Sequence, residues 1–139
     1  MADLPPEARE LIESGQLAHL VTLNPDGSPQ LTAVWVGIED GEIVSGHMVP
    51  RRKLDNVRRD PRVVLSIESP TTNPIGLREY LVVHGTGRVT EGGAADLLQR
   101  LAHVYMGPDA EFPPASVRGE PGFILRIKPE RLGGVGPWA

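Results

Sequence analysis

Apolar residues recur along the chain with two different spacings, and each spacing predicts one kind of element. Apolar side chains three and four residues apart predict an amphipathic helix within residues 3–15 and another within residues 92–107. The apolar face of the first helix consists of Leu4, Ala8, Leu11 and Ile12. Leu97, Leu98, Leu101 and Tyr105 form the corresponding face of the second.

Apolar and polar residues alternate elsewhere, which predicts strands. Six segments show this pattern: residues 17–24, 28–38, 42–48, 62–68, 78–90 and 121–135. Because most successive strands are joined by short turns, such as Asp40-Gly41, we expect an antiparallel sheet in an α+β fold. Closing that sheet into a small barrel would remove its edges, and an open, sandwich-like sheet is the alternative.

The apolar pattern of the second predicted strand, residues 28–38, indicates which of its faces should turn towards the core. Leu31, Ala33 and Trp35 alternate along it and share one face. Since apolar residues on one strand face usually pack inward, we expect this face to lie in the core.

Length and composition agree with a single folded domain over residues 1–139. The chain is 40% apolar and 23% charged, as is usual for a globular protein. It has no cysteine, which excludes disulfides, a thiol nucleophile and cysteine-ligated metal. The N-terminal residues are acidic and lack an apolar run, so we expect a cytoplasmic protein without a signal peptide or membrane span.

Charge is distributed unevenly along the chain. The net charge is −4, which argues against a general nucleic-acid-binding protein. Yet six of the 14 Lys and Arg residues fall between Arg51 and Arg62. Against only Asp55 and Asp60, they give that stretch a local charge of +4.

The basic stretch contains a predicted short helix at residues 52–60, between Pro50 and Pro61. Arg58 and Arg59 would lie in its last turn, where cations complement the helix dipole and need no ligand. The cations of the first turn, Arg51, Arg52 and Lys53, would lie at the positive end of the dipole, where they are unfavourable. A bound anion, such as a phosphate, would explain them, and exposure to solvent is the alternative.

Other chemistry-bearing residues give no catalytic or metal-binding pattern. The four histidines are widely spaced, and no serine or glycine motif of a known catalytic or phosphate-binding type is present. His47 ends a strand just before the basic stretch and is a candidate ligand contact. Trp138, beside the C-terminus, is expected to dock on its own subunit or on a partner. If the protein is an enzyme, a bound cofactor should carry the chemistry.

The segment from Pro50 to Val63, "PRRKLDNVRRDPRV", resembles the signature of the pyridoxamine 5′-phosphate oxidase-like split-barrel proteins. It is most similar to the actinobacterial reductases that use the deazaflavin coenzyme F-420. Residues 20–36, 72–74 and 82–89 also resemble that family. The resemblance implies a six-stranded antiparallel split β-barrel that forms a homodimer, with the cofactor at the subunit interface.

The resemblance also implies a set of cofactor-binding residues. Arg51 and Lys53, with Arg52 beside them, would bind the phosphate, and the backbone of His47, Met48, Val49 and Pro50 would line the ring or its linker. Thr32, Ala33, Val34 and Trp35 would flank the tricyclic ring. Asn56 matches a family position, with a structural role as the alternative. Tyr80 and Trp138 would reach the cofactor from the second subunit.

The function implied is reduction of an electron-poor small molecule, such as an enone, a quinone or a conjugated lactone, by hydride transfer from the reduced deazaflavin. No metal and no catalytic side chain is implied. Two alternatives stay open: an FMN-binding oxidoreductase or flavin reductase of the same fold, and a non-catalytic cofactor-binding protein.

Overall fold

The computed structural model describes residues 3–139, which form three helices and seven strands. In chain order these are α1 (Pro6–Ile12), β1 (Ala18–Leu23), β2 (Pro29–Val34), β3 (Gly37–Glu39), β4 (Glu42–His47), α2 (Arg52–Arg59), β5 (Arg62–Thr72), β6 (Arg78–Glu91), α3 (Ala94–Tyr105) and β7 (Phe123–Val135). Every predicted helix and strand segment is therefore present. No helix among these residues is long and apolar enough to cross a bilayer.

The strands make one antiparallel sheet in the order β2-β1-β5-β6-β7-β4-β3. β2 and β3 follow each other in the chain but lie at opposite ends of this order. Only two residues separate them, so the sheet must curl until its ends meet. The α+β split-barrel prediction is confirmed.

The strand count differs from the predicted six because the second predicted strand is divided at Trp35 and Val36. At this point the backbone N–H of Val36 donates to the hydroxyl of Tyr105, at 3.0 Å, instead of to a neighbouring strand. A side chain from α3 thus interrupts the strand hydrogen bonding, which periodicity along the sequence could not reveal.

The core lies inside the curled sheet, beneath α1. Leu20, Leu65, Leu81 and Leu125, one from each of four strands, are fully buried there. The predicted face of α1 joins them, since each of its four apolar residues is buried.

The predicted facing of β2 is wrong. Leu31 is 63% exposed and Ala33 is also exposed, whereas Val34 is buried. The inward face of β2 carries Gln30 instead, whose side-chain oxygen accepts a hydrogen bond from the buried Asn56. Alternation separates the two faces of a strand but does not fix which face turns inward. Here the inward face pairs Gln30 with Asn56, whereas Oγ1 of Thr32 on the same face is buried without a hydrogen-bond partner among residues 3–139.

Two glycines allow α3 and β7 to approach β4 closely. A Cβ at Gly46 would lie 2.9 Å from Cγ of Leu98 on α3. A Cβ at Gly122 would lie 2.5 Å from Cβ of Ala94 and 2.8 Å from the carbonyl oxygen of His47, and Gly122 also has φ +60°. These contacts fix the position of α3 over the end of β4.

We expect Gly122→Ala to lower the free energy of unfolding by about 3 kcal/mol, from the positive φ and the crowding together. Gly27→Ala is the matched control, because Gly27 has φ +84° but no atom within 4 Å of its Cβ position. That variant should lose about 1 kcal/mol, from backbone strain alone. Urea denaturation measures both, and equal losses would show that the approach at Gly122 is loose.

Candidate functional site

Helix α2 is fixed to the barrel by its apolar residues and one polar one. Leu54 and Val57 are buried in the core. Asn56 is 1% exposed, and its amide nitrogen lies 3.1 Å from Oγ1 of Thr22 and 3.1 Å from Oδ1 of Asn24. Asn56 thus attaches the helix to β1 and the turn after it, which is the structural alternative considered for this residue.

The cations at the C-terminal end of α2 have partners within the protein. Arg58 lies 3.5 Å from the carboxylate of Asp55 and over the ring of Phe123. Arg59 donates to the carbonyl of Leu23 and, at 3.0 Å, to Oδ1 of Asn56. Arg62, at the start of β5, pairs with Asp60 at 2.7 Å.

The cations at the N-terminal end differ. Among residues 3–139, no ion pair or side-chain hydrogen bond involves Arg51, Arg52 or Lys53. The helix has no side-chain cap, so the backbone N–H groups of its first turn are also free of a side-chain acceptor. The N–H of Leu54 already donates to the carbonyl of Arg51, at 3.0 Å, so this end of α2 offers an anion its cationic side chains and the backbone N–H groups of Arg52 and Lys53.

Two of these cations border a cavity of about 410 Å³. Its walls come from the end of β2, the end of β4 and the residues after it, the start of α2, α3, and the segment between α3 and β7. The lining residues are Ala33, Val34, Trp35, Gly46, His47, Met48, Val49, Arg51, Lys53, Leu98, Phe112, Pro113, Pro114 and Val117. The lining is thus mostly apolar, with positive charge in one place and no carboxylate among the described residues.

The positive charge affects the ionisable groups that line the cavity. Burial, together with the neighbouring cations Lys53 and Arg51, lowers the pKa of His47 to about 4. Burial and Arg51 likewise lower the pKa of Lys53. At neutral pH His47 is therefore an uncharged imidazole, with Nε2 held 2.9 Å from Oγ of Ser45.

Two aromatic residues, Trp35 and Phe112, also line the cavity. The indole of Trp35 stacks on Tyr105, with ring centroids 5.2 Å apart and planes 12° apart. Phe112 packs against the same indole at 5.3 Å, tilted by 59°. Trp35 is half-buried, so it supplies a fixed apolar surface to the cavity rather than packing in the barrel core.

The cavity brings together eight of the predicted cofactor-binding residues: Ala33, Val34, Trp35, His47, Met48, Val49, Arg51 and Lys53. Thr32, Pro50 and Arg52 are next to these in sequence but do not line it. Asn56, Tyr80 and Trp138 also lie outside the lining. Trp138 is buried on its own subunit, where its indole N–H donates to the carbonyl of Tyr80 at 3.0 Å.

Six lining residues were not among the predicted ones: Gly46, Leu98, Phe112, Pro113, Pro114 and Val117. Four of them lie in the segment after α3, whose proline-rich, polar composition over residues 109–120 predicts an irregular surface loop. The pair Pro113-Pro114 beside an aromatic residue was a signal of an ordered, apolar wall, but no periodicity marks such a segment.

Comparison with known proteins gives the family. The family model described as pyridoxamine 5′-phosphate oxidase matches residues 4–136. Among proteins with curated functions, none matches the sequence.

Several solved structures are similar to this chain in both sequence and fold. An F-420 reductase is 30% identical, with a TM-score of 0.74 over 93% of this chain and 98% of that one. The conserved hypothetical protein Rv2991 from Mycobacterium tuberculosis is 27% identical, with a TM-score of 0.72 over 96% of this chain and 87% of that one. A FAD-binding protein from Mesorhizobium loti shares the fold at 19% identity, with a TM-score of 0.62 over 92% and 91%. The chain belongs to the pyridoxamine 5′-phosphate oxidase family, in a branch of the superfamily that includes an F-420 reductase.

Proposed function

We propose that the protein is a reductase that uses reduced coenzyme F-420 to reduce an electron-poor small molecule, such as an enone, a quinone or a conjugated lactone. The observation that carries this proposal is the pairing of Arg51 and Lys53, without a protein counter-charge, beside a mostly apolar cavity. The similarity to an F-420 reductase supports the choice of cofactor.

The donor set fits a phosphorylated cofactor with a flat ring. Arg51 offers a planar guanidinium and Lys53 a compact ammonium, both of which bind phosphate oxygens well. Ala33, Val34 and Trp35 on one side, and His47 to Val49 on another, offer apolar surface and backbone groups to a ring. When bound, the reduced deazaflavin supplies a hydride.

The protein's own residues would bind, orient and exclude water. Of the ionisable side chains that line the cavity, Arg51 and Lys53 are cationic and His47 is uncharged at neutral pH. None is a carboxylate among residues 3–139, so we assign no general base. The apolar walls keep the reacting atoms dry and close together, which favours hydride transfer without a catalytic side chain.

A homodimer is part of the proposal. The outward faces of β2, β1, β5 and β6 carry Leu31, Val21, Val64 and Val82, of which the first is largely exposed and the others are half-buried. A second copy packed there would cover this apolar surface. Tyr80, 41% exposed at the same sheet face, is better placed to reach a partner's cofactor than the buried Trp138.

FMN is the second candidate cofactor, because Arg51 and Lys53 recognise a phosphate whichever ring it carries. Titration of the purified protein with oxidised F-420 and with FMN, followed by fluorescence, separates the two. We expect tighter binding of F-420 than of FMN. In a separate assay that starts from reduced F-420, we expect the protein to oxidise the cofactor when menadione is added. Stoichiometric FMN with no affinity for F-420 would contradict the cofactor assignment. Binding of F-420 without turnover of any activated alkene or quinone would indicate a non-catalytic binding protein.

The phosphate site has its own test. Arg51→Ala and Lys53→Ala should each weaken F-420 binding by about 1–3 kcal/mol, or roughly 5- to 150-fold in Kd. Arg58→Ala is the matched control on the same helix, because Arg58 already pairs with Asp55, and its Kd should stay near wild type.

Stability without ligand gives a second reading of the same variants. Removing Arg51 or Lys53 relieves like-charge repulsion at the positive end of the α2 dipole, so the melting temperature of the ligand-free protein should not fall. Equal loss of affinity in all three variants would show that the basic stretch acts as a diffuse field. A lower melting temperature would show that Arg51 and Lys53 have a structural role.

The buried imidazole of His47 should make the free energy of unfolding depend on pH. His47 has a pKa near 6.5 when unfolded and about 4 when folded, so the unfolded state binds the proton first. Stability is therefore complete above pH 6.5 and falls as the pH decreases towards 4, by roughly 2–3 kcal/mol in all.

Urea denaturation at several pH values between 7 and 4.5 measures this loss. His47→Gln should flatten the profile in that range, whereas the control His19→Gln, at an exposed position on β1, should retain it. Asp60 does not interfere, because its pKa of about 2 places its contribution below pH 4. An unchanged slope in His47→Gln would contradict the buried, uncharged imidazole.

A further inference from the structure

The segment between α3 and β7 forms one wall of the cavity although it contains no helix or strand. We call residues 108–120 the wall loop. Phe112, Pro113, Pro114 and Val117 of this loop line the cavity. All four side chains are apolar and uncharged, so the wall loop contributes only apolar surface to a ligand.

One side chain attaches the wall loop to the rest of the protein. Nε2 of Gln99, on α3, donates to the carbonyl of Ala110 at 2.8 Å, and Oε1 of Gln99 accepts from the backbone N–H of Phe112 at 3.3 Å. Apart from a turn at Gly107, where the loop leaves α3, no other hydrogen bond within residues 3–139 joins the wall loop to another part of the chain.

A different residue, Arg118, makes hydrogen bonds within the wall loop. Arg118 donates through Nε and Nη2 to the carbonyl of Pro113, at 3.2 and 2.8 Å. The backbone N–H of Val117 donates to the carbonyl of Pro114, at 3.0 Å. Because the loop is internally braced, the two hydrogen bonds of Gln99 fix more than the two residues they touch.

Phe112 connects the hydrogen bonds of Gln99 to the aromatic residues that line the cavity. Its backbone is bound by Gln99, and its ring packs against Trp35, which in turn stacks on Tyr105. Gln99 itself is placed by α3, whose neighbouring Leu98 lines the cavity. The same helix turn thus lines part of the cavity and holds the wall loop beside Trp35.

We propose that Gln99 is a positioning residue that holds the wall loop, and with it Phe112, against Trp35 to complete the cavity. The carboxamide suits this role because Ala110 requires a donor and Phe112 requires an acceptor. The consequence for the reaction rests on the proposed function: a ligand's apolar part should be bound less well when the wall is released. The position of the wall itself does not depend on which ligand binds.

The structural part is tested on the ligand-free full chain. Gln99→Met retains the length of the side chain and removes both hydrogen bonds to the loop, along with the contact between Nε2 and Nε2 of His103, at 3.0 Å. Gln99→Glu keeps an acceptor for Phe112 but places a carboxylate oxygen against the carbonyl of Ala110. Trypsin cleavage after Arg118, followed by mass spectrometry, reports release of the loop. We expect about tenfold faster cleavage in Gln99→Met, as for the loss of two hydrogen bonds, and faster cleavage in Gln99→Glu as well, because its carboxylate cannot donate to Ala110.

The matched control is Arg100→Met, the same substitution at the next residue of α3, whose side chain pairs with Glu39 instead. Its cleavage rate after Arg118 should equal that of wild type. Cleavage after Arg126, within β7, should stay slow in every variant, which shows that the opening is local. Equal cleavage of wild type and Gln99→Met after Arg118 would overturn the proposal.

Trp35 gives a spectroscopic reading of the same event. Acrylamide quenching of tryptophan fluorescence should increase in Gln99→Met, because Phe112 no longer covers the indole, while buried Trp138 stays unquenched. Unchanged quenching would contradict the role of Gln99 in seating Phe112.

The reaction supplies the last reading. With reduced F-420 and menadione, Gln99→Met should raise KM for menadione about tenfold and leave kcat within a factor of two. A fall in kcat with KM unchanged would overturn the role as a positioning residue for the ligand. If the wild-type protein shows no turnover, the proposed function fails, while cleavage and quenching still decide whether Gln99 holds the wall.

Discussion

The hydroxyl of Tyr105 connects three parts of the chain on which the site depends. It accepts a hydrogen bond from the N–H of Val36, at 3.0 Å, and donates one to the carbonyl of Gln16, at 3.1 Å. The first contact separates β2 from β3 and lets the sheet close. Burial of this phenol raises its pKa, so the hydroxyl keeps its proton throughout the physiological range. The ring of the same residue supports Trp35, and through it the aromatic side of the cavity.

The basic stretch combines two physical situations on one eight-residue helix. At the C-terminal end the arginines complete the helix dipole and find acceptors on the protein. At the N-terminal end the cations oppose the dipole, and one of them, Lys53, is also partly withdrawn from water. Apolar packing of Leu54 and Val57, with the hydrogen bonds of Asn56, holds the helix in place despite this repulsion. The protein therefore maintains an electrostatic strain at its cavity that an anion would relieve.

Local signals in the sequence were sufficient for the elements and for the division of the basic stretch. Periodicity identified each helix and the strand segments, and the dipole argument separated Arg51, Arg52 and Lys53 from Arg58 and Arg59. The facing of β2 could not be obtained in this way, because it depends on a hydrogen bond between Gln30 and Asn56, which are 26 residues apart. The sequence did not predict the wall loop as part of the cavity for a similar reason, since its position depends on Gln99 rather than on a pattern within the loop.

The end position of β2 in the sheet has a consequence for what it can offer a ligand. A strand at the end of the hydrogen-bonding order has a neighbour on one side only, so its outer backbone N–H and C=O groups are unpaired with any strand. In many sheets such an edge invites another chain to add a strand. Here Ala33 and Val34, at the end of that edge, line the cavity. The main chain itself is therefore a source of donors and acceptors for the polar rim of a flat ring, and substitution of side chains leaves it unchanged.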